Sequence, residues 1–189
     1  MDLTKFQHQL TSATSNGRVL PPVENWDPDF CGDINLEIKL DGRWFYENSP
    51  IGRASLVKLF ASVLKKEGDS YFLVTPVEKV GIRVEDVPFL ITRWEYQNGQ
   101  LIFTTQTDDN ISLADQAQLE LRTPPPALQD TDATPIPYVR VRRNLWARLH
   151  QNAYYQLIDN ASVHESEEGT SLVIESCGTN FIIGNLPTT

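Results

Sequence analysis

The sequence predicts an α+β fold of two similar halves, each a hairpin–helix–hairpin unit. Three observations carry this. Asp41-Gly42 and Asn98-Gly99 each separate two strand-like runs, the usual mark of a tight antiparallel hairpin. Residues 53–66 and 144–159 repeat their apolar positions at helical spacing. The order of turns and amphipathic segments in 36–84 returns in 118–184, with short turns where a parallel βαβ fold would need long crossovers.

Leu3, Phe6 and Leu10 predict a short helix over residues 2–13. It belongs to an appendage, 1–20, that Ser15-Asn16-Gly17 and Pro21-Pro22 set apart and that packs on the body or on a partner. The first half, 21–84, begins with Ile34, Leu36, Ile38 and Leu40, which alternate with polar residues as a half-buried strand does. Asp41-Gly42 predicts a type I′ turn into Trp44-Phe45-Tyr46. Leu56, Leu59, Phe60, Val63 and Leu64 form one helix face, with Ser49 as N-cap, Pro50 in the first turn and Gly68 at the end. Strands follow at 71–75 and 79–84. In the second half, 85–189, strands are expected at 89–96, 101–105 and 117–122. A stiff proline-rich connection covers 123–137, and a strand covers 138–142. Asn144 caps a helix whose face is Leu145, Trp146, Leu149, Ala153 and Leu157, and strands near 171–175 and 181–183 close the chain.

Composition narrows the function classes. The chain is 40% apolar and 22% charged, ordinary for a globular protein of 189 residues. A net charge of −9 opposes sequence-independent nucleic-acid binding but leaves room for a small anion in a local basic pocket. No secretory signal and no bilayer-length apolar run is present, so a cytoplasmic location without a membrane partner is expected. Cys31 and Cys177 are then expected to be reduced. Lipase, zincin, Walker and Rossmann signatures are missing, and His8, His150 and His164 are scattered, so neither metal nor cofactor is expected.

Arg53 falls at the predicted start of a helix, where free N–H groups attract anions and a guanidinium adds bidentate geometry. The competing role is an internal ion pair with Asp33 or Glu78. Cys31-Gly32-Asp33 stands where the first strand begins, as a ligand contact or as a strand-entry turn. Thr75, Glu78 and Lys79 flank the connection at Pro76, as functional loop or solvated tip. Trp26, between two prolines, is the tryptophan best placed to stack on a ligand, whereas Trp44, Trp94 and Trp146 suit the core. Arg140 and Arg142 share one strand face, either solvated or anion-contacting.

The runs WDPDFCGDINLEI, DGRWFY, SPIGR and LVKLFASVLKKEGDSYFLVTPVEKVGI, with a later D-x-PF, resemble the bacterial domain-of-unknown-function family numbered 1285. The likeness is dense over 22–106 and thins to PYVRVRR and AYYQLI. Where that family commonly has a second Asp, this chain has Asn35, so no carboxylate is available there. The resemblance implies two related α+β halves, the second like a pleckstrin-homology-like barrel. It also implies a ligand site between them and a role in signalling, without an established enzyme activity.

Three functional readings follow. The leading one is a non-catalytic binding module for a small phosphorylated or nucleotide-like ligand at the interface of the two halves, held by Arg53, Asp33, Thr75, Glu78, Lys79, Cys31, Trp26, Arg140 and Arg142. A hydrolase-like enzyme using Asp33 or Glu78 is the first alternative. A protein–protein interaction module, meeting its partner through the basic strand and the N-terminal helix, is the second.

Overall fold

The computed structural model describes residues 3–13 and 20–187, so the punctuation expected at 15–17 and the first residue of the expected N-terminal helix lie outside it. The chain divides into two compact units, Met1–Glu85 and Asp86–Thr189.

In the first unit, helix α1 (Leu3–Ala13) precedes a three-stranded meander of β1 (Phe30–Ile38), β2 (Trp44–Tyr46) and β3 (Ser49–Pro50). Helix α2 (Ala54–Ser62) leads to a second meander of β4 (Leu64–Glu67), β5 (Ser70–Val74) and β6 (Lys79–Val84). The first strand of one meander lies parallel to the last of the other, giving the order β3-β2-β1-β6-β5-β4.

The second unit has the same sheet. β7 (Phe89–Gln97), β8 (Gln100–Thr105) and β9 (Asn110–Leu113) form one meander. β10 (Leu119–Arg122), β11 (Ile136–Arg142) and β12 (Leu145–Leu149) form the other. β7 and β12 are the parallel pair, and the order is β9-β8-β7-β12-β11-β10. Helix α3 (Gln151–Asp159) and an antiparallel sheet of β13 (Ser162–Ser166), β14 (Gly169–Ser176) and β15 (Thr179–Leu186) complete it. The fold is therefore α+β with two similar six-stranded sheets, one of which curls into a half-barrel like that of pleckstrin-homology-like folds. The order hairpin, helix, hairpin occurs in each unit. Its helix sits between the two meanders in the first and after both in the second.

Local chemistry explains the departures from the expected elements. Asp41 keeps a negative φ while Gly42 sits at φ 80°, and Gly42 N–H donates to the Lys39 carbonyl at 3.0 Å. That is a three-residue loop ending in a left-handed glycine, not a type I′ turn. The type I′ geometry belongs to Glu47-Asn48, at φ 48° and 63°, and it turns Ser49-Pro50 into an edge strand rather than a helix start. Helix α2 stops at Ser62, whose hydroxyl donates to the Leu59 carbonyl at 2.6 Å, and residues 64–67 pair with β5 instead. Gly68 is the hairpin turn between them, not a helix cap. Leu64 is fully buried as a strand residue just as a helix would have buried it, which is why the periodicity misleads. In the second unit Leu145, Ala147 and Leu149 are buried at period two and form β12, so the helix begins only at Gln151. His150, not Asn144, is its N-cap, with Nδ1 accepting from the Asn152 N–H at 3.2 Å.

A nine-residue helix has little stability alone. Helix α2 is held by burying Phe60 between Phe6 of α1, 6.1 Å between ring centroids, and Trp44 of β2, 6.4 Å away. Phe6 and Leu10 of α1 are buried, so the N-terminal helix packs on the body of its own unit. Among the described residues, no helix is long and apolar enough to cross a membrane.

Candidate functional site

The first sheet has two unlike faces. Leu36 and Ile38 of β1, Leu73 of β5 and Val80 of β6 are buried with α2 on one side. Alternation then sends their neighbours to the other side. There the parallel pairing of β1 and β6 sets Asp33 beside Gly81 and Glu37 beside Arg83, while β5 sets Phe72 on the far side of Gly81. These residues line an open cavity of about 670 Å³ together with Phe30, Tyr71, Lys79 and Glu85.

Gly81 makes the floor. A Cβ built on it would overlap the Asp33 carboxylate, so only glycine lets that side chain lie across β6. Phe30, 56% exposed, meets Phe72 edge to face at 5.9 Å between centroids.

Cations in this face already have protein carboxylates. Lys79 Nζ donates to Glu67 at 2.5 Å and lies 4.5 Å from the Phe72 ring centroid, and Lys65 meets the same Glu67 at 3.1 Å. Hydrogen bonds from Lys79 and then Lys65 hold the Glu67 carboxyl below its usual value. Arg83 donates to Asn35 Oδ1 at 2.7 Å and stands 3.5 Å from Glu37, which also takes Lys39 at 3.0 Å. The Lys39 bond holds Glu37 below the ordinary carboxylate range. Asn35 is the residue this arrangement needs. Its oxygen accepts from Arg83 while its nitrogen donates to Glu47 at 3.3 Å, and an aspartate would repel that glutamate. Of the cavity's four carboxylates, Asp33 and Asp69 have no hydrogen-bond or ion partner among the described residues, and Asp33 is the one laid over Gly81.

Of the residues singled out from sequence, Asp33 and Lys79 meet in this cavity. Cys31 is exposed nearby on β1, its thiol donating to the Asp29 carbonyl at 3.2 Å, and Cys177 is likewise an exposed free thiol. Trp26 is half-buried and its carbonyl accepts from Lys65 at 3.3 Å. Thr75 is buried and organises the turn before β6, its hydroxyl accepting from the Glu78 N–H at 2.9 Å. Glu78 lies in that turn and does not line the cavity. Arg53 is the exposed N-cap of α2, and its side chain has no ion pair among the described residues, with Asp33 or any other carboxylate. It is not among the lining residues.

In the second unit a bulge separates Arg140 from Arg142, so the two do not share a face as alternation alone implies. Arg140 pairs with Trp146 and Arg142 with buried Leu145. Arg142 donates to Asp109 at 2.8 Å, with its side chain 12% exposed, and its guanidinium stacks 5.0 Å from Phe89. Phe30, Phe72, Gly81 and Arg83 were not singled out from sequence. The signal was available in KVGIRV, where Lys, Gly and Arg alternate with Val, Ile and Val. Two faces are written there, one apolar and one polar with a glycine at its centre.

The sequence and the fold agree with a known family. The chain matches the N-terminal domain of DUF1285, a domain of unknown function, over residues 21–87, and the DUF1285 C-terminal domain over 88–183. It therefore belongs to the DUF1285 family. A DUF1285 protein from Silicibacter pomeroyi DSS-3, known from a crystal structure, is 37% identical. The similarity covers 94% of this chain and 95% of that one with a TM-score of 0.76. A second, from Shewanella baltica OS155, is 34% identical over 66% of this chain and 90% of its own, with a TM-score of 0.52. A search among curated proteins found no match.

Proposed function

We propose that the chain is a non-catalytic binding module that seats a small nucleotide-like ligand on the open face of its first sheet. The observation that carries this reading is Asp33, an unpartnered carboxylate laid over Gly81 beside the exposed Phe30 ring in a cavity of about 670 Å³. Cavities of this size suit small molecules, and an aromatic wall with one oriented polar group suits a planar ring. Lys79 and Arg83 would meet a phosphorylated end only in competition with Glu67 and Glu37, so the ring supplies most of the recognition. Of the two carboxylates the hydrolase-like alternative invokes, Asp33 lines the cavity and Glu78 does not, so an acid–base pair of the two is not favoured there. Binding without turnover fits a sensing role in signal transduction.

The test is melting of the full chain with nucleosides, nucleotides and inorganic phosphate. A ligand at 100 times its Kd stabilises by about 2.7 kcal/mol. Nucleosides without phosphate are expected to raise the melting temperature. Gly81→Ala is expected to abolish that rise by displacing Asp33, while its own stability stays within about 1 kcal/mol of the parent, since alanine is tolerated in a strand and the Asp33 side chain can swing away. A rise with phosphate alone, or an undiminished nucleoside response in Gly81→Ala, contradicts the reading.

A further inference from the structure

We infer that the cavity selects a planar ring presenting two adjacent N–H donors, the edge of a guanine-type base; this rests on the binding reading above and names its ligand class. An ionised carboxylate only accepts hydrogen bonds, and it has two oxygens to satisfy. In most protein sites such a group is matched by a nearby Lys, Arg or backbone N–H. On this face those donors are engaged elsewhere. Lys79 is held by Glu67 at 2.5 Å, Arg83 by Asn35 at 2.7 Å, and Lys39 by Glu37 and Glu85 at 3.0 and 3.2 Å. The main-chain N–H of Leu40 donates to Glu85 at 2.7 Å. Asp33 is exposed and has no partner among the described residues, so both its oxygens are open to donors from outside the chain.

The charge balance points the same way. The lining holds four carboxylates, Asp33, Glu37, Asp69 and Glu85, against Lys79 and Arg83, which disfavours an anionic group and favours N–H donors. Phe30 exposes 56% of its surface beyond its edge-on contact with Phe72, which gives a ring a face on which to stack. A guanine-type base brings N1–H and the 2-amino group side by side and can meet both carboxylate oxygens at once. Adenine offers one donor next to an acceptor, which the second oxygen repels. Hypoxanthine keeps N1–H and lacks the amino group. Gly81 is the positioning residue, because any Cβ there would push the carboxylate off the strand.

The experiment is calorimetric titration of the full chain with guanosine, inosine and adenosine, repeated with Asp33→Asn and with xanthosine added to the set. Each charge-assisted bond is worth about tenfold or more in affinity. Guanosine is expected to bind at least tenfold more tightly than inosine or adenosine. In Asp33→Asn, which offers one acceptor and one donor, guanosine is expected to weaken at least tenfold and xanthosine to become the better ligand. Asp33 is exposed and unpartnered, so this variant is expected to melt like the parent. Adenosine or inosine binding as tightly as guanosine overturns the donor-edge inference and leaves the cavity reading standing. Guanosine binding unchanged in Asp33→Asn also overturns it. Silence from all the nucleosides overturns both.

Discussion

Arg148→Ala is expected to destabilise the second unit by about 3–5 kcal/mol, the range for removing one partner of a buried ion pair. Arg148 lies on β12 with its side chain 8% exposed, and it donates to Asp86 at 2.8 Å. Asp86, 16% exposed, also accepts the Tyr138 hydroxyl at 2.9 Å, and Tyr138 is 1% exposed. Burial, and then the Asp86 carboxylate, push the Tyr138 phenol far above its usual pKa, so it stays a donor at any working pH. Without Arg148, a carboxylate at the start of this unit would keep one neutral donor in place of a charge. Tyr138→Phe removes that one charge-assisted bond and keeps the ion pair, and is expected to cost about 1.5–3 kcal/mol. Two units can unfold separately, so a single midpoint is a poor measure here. Native-state hydrogen exchange resolves the question. Amides of β7 and β12 are expected to lose protection in Arg148→Ala while those of β1 and β6 keep theirs. Equal stability of Arg148→Ala and the parent would show that the pair contributes nothing.

Phe60→Ala is expected to cost the first unit about 3–5 kcal/mol. The side chain is fully buried and is shared by three elements, α1 through Phe6, α2 itself and β2 through Trp44. Neither short helix has an independent reason to stay folded, so the cavity left behind should also loosen α1. Native-state hydrogen exchange, read at the amides of the first sheet and of α1, reports both effects. A loss below about 1 kcal/mol would mean that α1 and α2 are not held by this contact. Asp33 lies on the opposite face of the sheet, so partial destabilisation here should leave nucleoside affinity close to the parent's in conditions where the unit is still folded.

Much of this architecture was legible in residue order. Asn98-Gly99 is the hairpin turn it spelled, with φ values of 53° and 77°. Leu56, Leu59 and Phe60 are in a helix, and Phe60 is core. The two-half pattern is real, and its repeat is a sheet whose two meanders are joined by a parallel pair that no local signal reveals, because β1 and β6 lie some forty residues apart. Where periods two and 3.6 bury the same side chains, as at Leu64 and Leu145, strand pairing decided and the helical reading failed. Asp33 and Lys79 were picked out for standing near turns. Their companions Gly81 and Phe72 entered only through register across three strands. Arg142 looked like a surface cation because its partner, Asp109, is thirty-three residues away in sequence and a bulge turns it inward.

A base seated on the open face of the first sheet is expected to be visible by nuclear magnetic resonance with guanosine. As nucleoside is added, the Phe30 and Phe72 ring signals and the Gly81 amide are expected to shift first and most, through ring currents and the new bond at Asp33. Shifts confined to the start of α2 around Arg53, or to β11 around Arg140, would place the ligand elsewhere and rule out a seat at Asp33.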